Sequence, residues 1–144
     1  MNASQFLSVG ATLVLTMTSA CGGDTHTAPP NPSVMRIIGV NNVSWTAGLK
    51  FPVAFEVSLQ SADGAALPRV SVLWTVTSGG GIVGGEDSPN HGVSGYLIAI
   101  PSDERGNSTV IWTLGPVLGP QTLTASVSGF VGSPATFFAT ATPP

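Results

Sequence analysis

The chain alternates apolar and polar residues with a period of two over most of its length beyond residue 33. In "FPVAFEVSLQ", the apolar residues Val53, Phe55, Val57 and Leu59 share one face. Later segments repeat the pattern, and their predicted inward residues are Val70, Val72, Trp74, Val76, Val110, Trp112, Leu114, Leu123, Ala125, Val127, Ala135, Phe137 and Ala139. Such alternation is typical of half-buried antiparallel strands.

Short segments rich in Gly, Pro, Ser and Asp separate these predicted strands. They read "SADGAALP", "SGGG", "SDERGN", "GPVLGP" and "SGFVGSP", and each is typical of a turn. A helical period of 3.6 is not found over any stretch of a dozen residues. About seven short strands without helices predict an all-β, antiparallel two-sheet sandwich. Because Trp74 and Trp112 lie in phase with Val neighbours, we expect both in the core and not at a ligand.

The N-terminal region differs from the rest in having a short apolar run, residues 6–17, ahead of Cys21, the only cysteine. The run is too short for a bilayer-spanning helix, which needs about 20 apolar residues. It fits the hydrophobic region of a secretory signal, and a buried core strand is the alternative. The first basic residue is Arg36. Either the free N-terminal amine therefore replaces the usual basic segment, or translation starts upstream.

The segment "TSAC" that follows this run resembles the lipobox of bacterial lipoprotein precursors. Ser19 and Ala20 match that pattern, whereas Thr18 stands where the family usually has Leu. The resemblance implies that residues 1–20 are a lipoprotein signal peptide and that cleavage before Cys21 is coupled to its lipidation. More than one acyl chain gives stable membrane anchoring. A free thiol in a processed tail is the alternative for Cys21.

Residues 21–33 form the predicted anchor and linker, because Gly, Pro and Thr dominate the segment after the cysteine. In lipoproteins of enteric bacteria, Asp after the cysteine signals retention at the inner membrane. Gly22 occupies that position here. The resemblance therefore implies an exported protein held by its lipid at the outer membrane or cell surface.

Charged residues make up 8% of the chain, against about 25% in typical soluble domains. The net charge is −3, and the basic residues Arg36, Lys50, Arg69 and Arg105 are scattered. Without a basic patch to neutralise phosphates, nucleic acid is not an expected partner. No cysteine follows Cys21, so we expect the domain to be stabilised by core packing alone.

An ordered series of segments resembles the bacterial Ig-like domain of the invasin/intimin group, group one. The matching segments are "ALPRVSVLWTV", "SGGG", "GNSTVIWTLG" and "QTLTASVSG", within residues 34–142. The resemblance implies an Ig-like β-sandwich that serves at bacterial surfaces as a rigid spacer or adhesion module, without catalysis or a cofactor. Family members often occur in tandem arrays, whereas this sequence holds one copy.

Residues 84–100, "GGEDSPNHGVSGYLIAI", resemble an insertion into this family pattern. Both faces of its final segment are apolar, and Leu73, Ile111 and Phe138 also occupy nominally outward positions. Two alternatives follow: the insertion strand shields some of these residues, or together they dock a partner. The predicted partner surface consists of Tyr96, Ile98 and Phe138.

Two motifs resemble enzyme sites without their structural context. Gly79, Gly81 and Gly84 satisfy G-x-G-x-x-G, but Pro89 and Gly92 forbid the helix that a dinucleotide site requires. We therefore predict a plain turn. In "HGVSGY" Tyr96 replaces the second Gly of a nucleophile elbow, which also needs a strand-to-helix turn. No catalytic residue is predicted.

Carboxylates and a histidine near the insertion offer oxygen ligands for calcium but lack the EF-hand spacing. They are Glu86, Asp87, His91, Asp103 and Glu104. We predict solvated turn residues there and no metal site, with Gly106 adopting a positive φ angle.

Together these features predict a non-enzymatic, lipid-anchored envelope protein that acts as a spacer or as an adhesion and protein-interaction module. The alternative is a carbohydrate- or peptide-binding module that uses residues 84–100. A glycan site requires exposed aromatic side chains, for which Tyr96 and Phe138 are the candidates. A subunit of a larger envelope complex is a third reading.

Overall fold

A computed structural model describes residues 32–85 and 94–144 of the chain. The predicted signal peptide, residues 1–20, and the lipidated Cys21 lie outside the described residues, as do residues 22–31 of the predicted linker. Residues 86–93 of the predicted insertion lie outside as well. The predicted domain boundaries therefore stay predictions. Neither described range contains a helix with the length and apolar character needed to cross a bilayer.

The described residues fold into ten β-strands. Their bounds are β1 Val34–Gly39, β2 Val43–Thr46, β3 Phe55–Gln60, β4 Ser71–Ser78, β5 Ile82–Gly85, β6 Ser94–Gly95, β7 Leu97–Pro101, β8 Asn107–Thr113, β9 Gly119–Ser126 and β10 Ala135–Thr142. The prediction of about seven strands undercounts, because β2, β5 and β6 span only two to four residues each. Strands this short lie at or below the roughly four residues over which alternation can be recognised.

The strands form two five-stranded sheets. The first sheet has the order β1-β3-β8-β5-β6 and the second has the order β2-β10-β9-β4-β7. All neighbours are antiparallel except β2 and β10, which run parallel. The chain crosses repeatedly between the sheets, so residues distant in sequence share each sheet. This is the predicted all-β architecture.

Aromatic side chains join the two sheets in the core. Phe55 of the first sheet packs edge-on against Trp112 at 5.4 Å between ring centroids, and against Phe137 of the second sheet at 5.6 Å. Phe137 in turn lies 5.5 Å from Trp74. All four side chains are fully buried. Edge-to-face pairs of this kind add about 0.5–1.5 kcal/mol each beyond area burial, and both predicted core tryptophans are confirmed.

The predicted inward residues are buried or half-buried with one exception. Val53 is 43% exposed, and Phe51 occupies the core instead. Phe51 stacks near Trp45 and donates its backbone N–H to the Trp112 carbonyl at 2.9 Å. Strand β3 begins only at Phe55, so the period-two pattern does not extend back to Val53. The prediction for Val53 was therefore wrong.

Two buried polar side chains connect parts of the sandwich. Ser108 on β8 accepts a hydrogen bond from the Trp74 indole N–H at 3.0 Å and donates one to the Ile100 carbonyl at 3.0 Å. Gln121 on β9 accepts from the Gly115 N–H at 2.9 Å. Its amide group donates to the Gly115 and Val117 carbonyls at 3.0 and 2.7 Å. Buried polar groups need such partners to offset their desolvation.

Gly115 is required where the loop between β8 and β9 packs against the loop after β4. A Cβ atom on Gly115 would fall 1.7 Å from the carbonyl oxygen of Gly79. Two backbone segments therefore approach each other closely enough that only glycine fits. This contact also places Gly115 within reach of the Gln121 side chain.

Candidate functional site

The solvent side of the second sheet is a continuous surface of small hydroxyl and apolar side chains, here called the uncharged face. Its members are Ser44, Leu73, Thr75, Thr77, Leu97, Ala99, Thr122, Thr124, Ser126, Thr136, Phe138 and Thr140. The pairing register places Leu97, Thr75, Thr124 and Thr136 in one row across four strands. Neighbouring strands lie about 4.8 Å apart, so the five strands span roughly 20 Å.

None of the five strands of the second sheet contains Asp, Glu, Lys, Arg or His. The charged side chains of the described residues lie on the first sheet or in loops: Arg36, Glu56, Lys50, Asp63, Arg69, Asp103, Glu104 and Arg105. Asp63 lies in the exposed turn after β3, where the Ser61 hydroxyl lowers the pKa of its carboxyl group. Charge is therefore segregated between the two sides of the sandwich.

Four hydroxyl groups of the uncharged face make contacts within the sheet, those of Thr77, Thr122, Thr124 and Ser126. Thr124 donates to the Thr75 carbonyl at 3.4 Å, and Ser126 donates to the Leu73 carbonyl at 3.4 Å. The hydroxyls of Ser78 and Thr122 lie 2.9 Å apart. At these four positions part of the hydrogen-bonding capacity of the hydroxyls is therefore already used within the sheet.

The predicted insertion extends this face in its own plane. Strand β7 pairs with β4, setting Leu97 opposite Thr75 and Ala99 opposite Leu73. Leu73 and Phe138 remain 38% and 47% exposed. The shielding alternative is therefore wrong for these two residues. Ile111 is buried, but it lies on β8 of the first sheet, away from β7's partner strand.

The three predicted partner residues do not form one cluster. Tyr96 is 73% exposed at the β7 edge, and Phe138 is exposed on β10. Ile98 is only 4% exposed and belongs to the core, so its placement on a partner surface needs correction. Leu97, which the prediction left out, is 55% exposed. Ile98 turns inward because it pairs with Trp74, whose side chain also points into the core.

Tyr96 and Phe138 are separated by the width of the sheet. Strands β4 and β9 lie between β7 and β10, which places the two aromatic residues three strand spacings, or about 14 Å, apart. The partly buried Trp45 donates its indole N–H to the Lys50 carbonyl at 3.0 Å. The described aromatic residues therefore do not assemble a continuous stacking platform.

Phe138 is held in place by a side chain from the loop before β2. Its backbone N–H donates to Asn41 Oδ1 at 2.8 Å. Asn41 precedes Asn42, which has a φ angle of 55°, and the turn made there leads into β2. The Asn41 amide thus substitutes for a strand partner at this point of β10 and fixes the backbone from which Phe138 projects.

A cavity of about 170 Å³ lies on the first sheet, at strands β5 and β8. Lys50, Ile82, Ile111 and Thr113 line it together with residues 83–85. Its walls are mainly apolar, and Lys50 is the one charged residue among the described residues that line it. It lies on the opposite side of the sandwich from the uncharged face, so it does not contribute to that surface.

The predicted turn motifs take the forms expected of turns where they are described. Residues 79–81 connect β4 to β5, and a strand follows them. Gly106 has a φ angle of 80°. Asp103 Oδ1 accepts from the backbone N–H groups of Arg105 and Asn107 at 2.8 and 2.9 Å. Within the described ranges, no three His, Cys, Asp or Glu side chains group as metal ligands would.

Known proteins match this chain by structure and not by sequence: no protein-family model and no curated protein matches it. The adhesin InvE of Yersinia pseudotuberculosis has a similar fold, with a TM-score of 0.50 and 19% identity over 76% of this chain and 32% of that one. The D0-D1 domain of intimin gives a TM-score of 0.49, with 13% identity over 77% of this chain and 49% of that one.

A second intimin structure, the D00-D0 domain, gives a TM-score of 0.47, with 13% identity over 80% of this chain and 48% of that one. The chain thus spans about half of the intimin structures and a third of the InvE structure. At these identities the similarity is one of fold. The chain is an all-β, Ig-like sandwich, similar in fold to the adhesin InvE.

Proposed function

We propose that this chain is a non-enzymatic, Ig-like adhesion module of the bacterial surface, and that it binds a protein partner through the uncharged face. The observation that carries this proposal is the uncharged second sheet with Leu73, Leu97 and Phe138 exposed on it. Exposed apolar patches on a folded domain mark interaction sites, and depletion of charge distinguishes the centre of protein interfaces.

A protein fits this surface better than a glycan does. Sugars require several hydrogen-bonding groups and a flat aromatic platform, whereas Thr122, Thr124 and Ser126 direct their hydroxyls to partners within the sheet. Tyr96 and Phe138 are also too far apart to stack on one sugar ring. A protein partner needs only shape complementarity and apolar contact at the interface centre. Carbohydrate binding is therefore the second candidate, and Tyr96 is its strongest support.

The proposal includes a lipid anchor at Cys21 at the outer membrane and a tether over residues 22–33. Twelve extended residues reach at most about 40 Å. Such a tether would lift the sandwich clear of the membrane surface and leave both of its sheets accessible. In this arrangement the domain also acts as a spacer.

Charge introduced into the uncharged face is expected to weaken binding of the partner. In the full-length chain, Leu97→Lys combined with Phe138→Lys should weaken capture of the partner by tenfold or more, because each lysine must be desolvated at the interface (about 1.4 kcal/mol per factor of ten). The measurement is recovery of the partner identified by chemical cross-linking of intact cells. Both residues are exposed, so the fold should persist.

The matched control is Val117→Lys combined with Leu118→Lys. These side chains are also exposed and apolar, but they lie in the loop between β8 and β9. We expect full partner recovery from this variant. Equal losses of partner recovery from the two double variants would contradict the proposed surface. Separately, a glycan array that is positive for the wild-type chain and negative for Tyr96→Ala would favour carbohydrate binding.

Mass spectrometry of the mature N-terminus tests the anchor independently. We expect the first residue to be Cys21 carrying acyl groups on its thiol and amine, and we expect Cys21→Ser to leave the precursor uncleaved and unacylated. A mature chain that begins elsewhere, or that retains an unmodified Cys21 thiol, would contradict anchoring. Such a result would not bear on the proposed protein-binding surface, which is a separate proposal.

A further inference from the structure

Strand β7 is an edge strand with few of the features that usually protect sheet edges. Among the described residues it pairs only with β4, and Leu97 to Ile100 are uncharged and apolar. Natural edges are usually blunted by charge, Pro, bulges or short length, because unpaired N–H and C=O groups attract another strand. On β7 only the terminal Pro101 has this effect.

The other three described edges are better protected. Strand β1 carries Arg36 at its centre, and at its start the Met35 N–H donates to the Val131 carbonyl at 2.8 Å. Strand β2 is four residues long and β6 is two. The contrast singles out β7 as the edge able to accept a further strand.

The hydrogen-bond pattern between β4 and β7 shows which backbone groups face this edge. The Val76 N–H donates to the Tyr96 carbonyl at 2.8 Å, so the pair Val76–Tyr96 is hydrogen-bonded. Hydrogen-bonded pairs alternate along an antiparallel ladder. The pairs of Leu97 with Thr75 and of Ala99 with Leu73 are therefore not bonded, and the N–H and C=O groups of Leu97 and Ala99 point away from β4.

We propose that β7 pairs antiparallel with β7 of a second copy of this chain, about a two-fold axis at Ile98. Leu97 then lies opposite Ala99 of the second copy and Ala99 opposite its Leu97. Each pair exchanges both of its hydrogen bonds, so every edge-facing N–H and C=O of these residues is used. A large side chain also meets a small one on the uncharged face.

The neighbouring register is less favourable. An axis at Ala99 would set Leu97 opposite Pro101 of the second copy. Pro101 has no N–H, so the Leu97 carbonyl would remain without a donor. The Ile98 register therefore uses the edge-facing backbone groups more fully than the Ala99 register does.

The charges around β7 favour a second copy. No strand of the second sheet carries a charged side chain, so pairing two copies through β7 brings no like charges together on this sheet. Among the described charges, Asp103, Glu104 and Arg105 follow β7 in the next turn, and the backbone N–H of Arg69 donates to the Ser102 carbonyl at 2.8 Å. Antiparallel pairing places the two copies of that turn roughly 30 Å apart, several Debye lengths at physiological salt. A pairing through one short strand buries less than a standard interface of about 1,600 Å², so we expect a transient dimer.

The experiment mixes two differently tagged full-length copies in mild detergent and oxidises them. One copy carries Leu97→Cys and the other Ala99→Cys. We expect about tenfold more disulfide between tags for this combination than for Leu97→Cys with itself, because diagonal positions lie outside disulfide reach. The wild-type chain controls for Cys21, and Leu118→Cys, exposed elsewhere, controls for random collision.

A third substitution, Ala99→Pro, tests the backbone bonds. It removes an edge-facing N–H without affecting the pairing with β4. A copy that carries both Leu97→Cys and Ala99→Pro should therefore form no disulfide with the Ala99→Cys copy. Ala99→Lys, which keeps the backbone intact, should do the same. Equal yields from all cysteine pairs, or none from any, would overturn the proposal. A product confined to Ala99→Cys with itself would replace the Ile98 register. Neither result depends on the external partner or on the lipid anchor.

Discussion

Replacing Phe137 with alanine is expected to lower the free energy of unfolding by about 3–5 kcal/mol, the range for large-to-small aromatic substitutions in a core. Phe137 is fully buried and its ring lies within 6 Å of Phe55 and Trp74. The substitution removes the side chain through which Phe55 and Trp74 are connected across the sandwich. Equilibrium denaturation in urea, monitored by tryptophan fluorescence, measures the change.

The adjacent residue provides the control, since Phe138 has the same side chain on the opposite face of β10. It is 47% exposed, and Phe138→Ala should change the free energy of unfolding by less than about 1 kcal/mol. If the two variants were equally destabilised, the assignment of inner and outer faces on β10 would be incorrect. The proposed location of Phe138 on the uncharged face would then be incorrect as well.

Replacing Gln121 with leucine is expected to destabilise the fold by about 1–3 kcal/mol, because it leaves the buried N–H of Gly115 without a hydrogen-bond partner. Gln121 also donates to the carbonyls of Gly115 and Val117. The Gly115 carbonyl accepts from the Gly48 N–H at 3.2 Å as well, and Val117 is exposed, so neither carbonyl is left buried without a partner. Leucine roughly preserves the side-chain volume, so the loss reports hydrogen bonding more than packing. The same denaturation experiment measures it.

A nearby substitution on the same strand separates this effect from strand propensity. Thr124→Val removes a hydroxyl whose contact with the Thr75 carbonyl is long, at 3.4 Å, and should change stability by no more than about 0.5 kcal/mol. A Gln121→Leu variant as stable as Thr124→Val would show that the loop between β8 and β9 satisfies its backbone groups in another way.

The core was predictable because apolar and polar residues alternate strictly along most of its strands. Phe55, Val57 and Leu59, or Leu123 and Ala125, follow a period of two, and the sheet geometry preserves that period. The pattern failed at Val53, where Pro52 precedes the strand and Phe51 takes the buried position. Alternation identifies a face only where the backbone is continuously extended, and the sequence does not mark that limit sharply.

Gln121 and Ser108, two of the three polar residues buried in the described part of the chain, were identifiable in principle. Gln121 lies in phase with Leu123 and Ala125, and Ser108 lies in phase with Val110 and Trp112. A polar residue in the inward phase of a strand predicts a buried side chain with specific partners. What the sequence cannot supply is the partners themselves, because the Trp74 indole and the Gly115 backbone reach these positions only through the tertiary fold.

The candidate surface was predicted only in part, and the reason lies in β7. Because both faces of residues 96–100 are apolar, the pattern could not decide whether Ile98 or Leu97 points outward. Pairing with β4 decides it, since Trp74 opposite Ile98 points into the core. The absence of charge from the second sheet was also not predictable from the sequence. The five strands of this sheet are separated along the chain, and only the fold shows that they lie side by side.

Site-specific photo-cross-linking in living cells tests the central claim most directly. A photoreactive residue is placed singly at Leu97, Thr124 or Phe138 on the uncharged face, or at Val117 or Leu118 outside it. Our account predicts adducts with one common partner protein from the three face positions and none from the two loop positions. Adducts that arise from Val117 or Leu118 while all three face positions stay silent would contradict it.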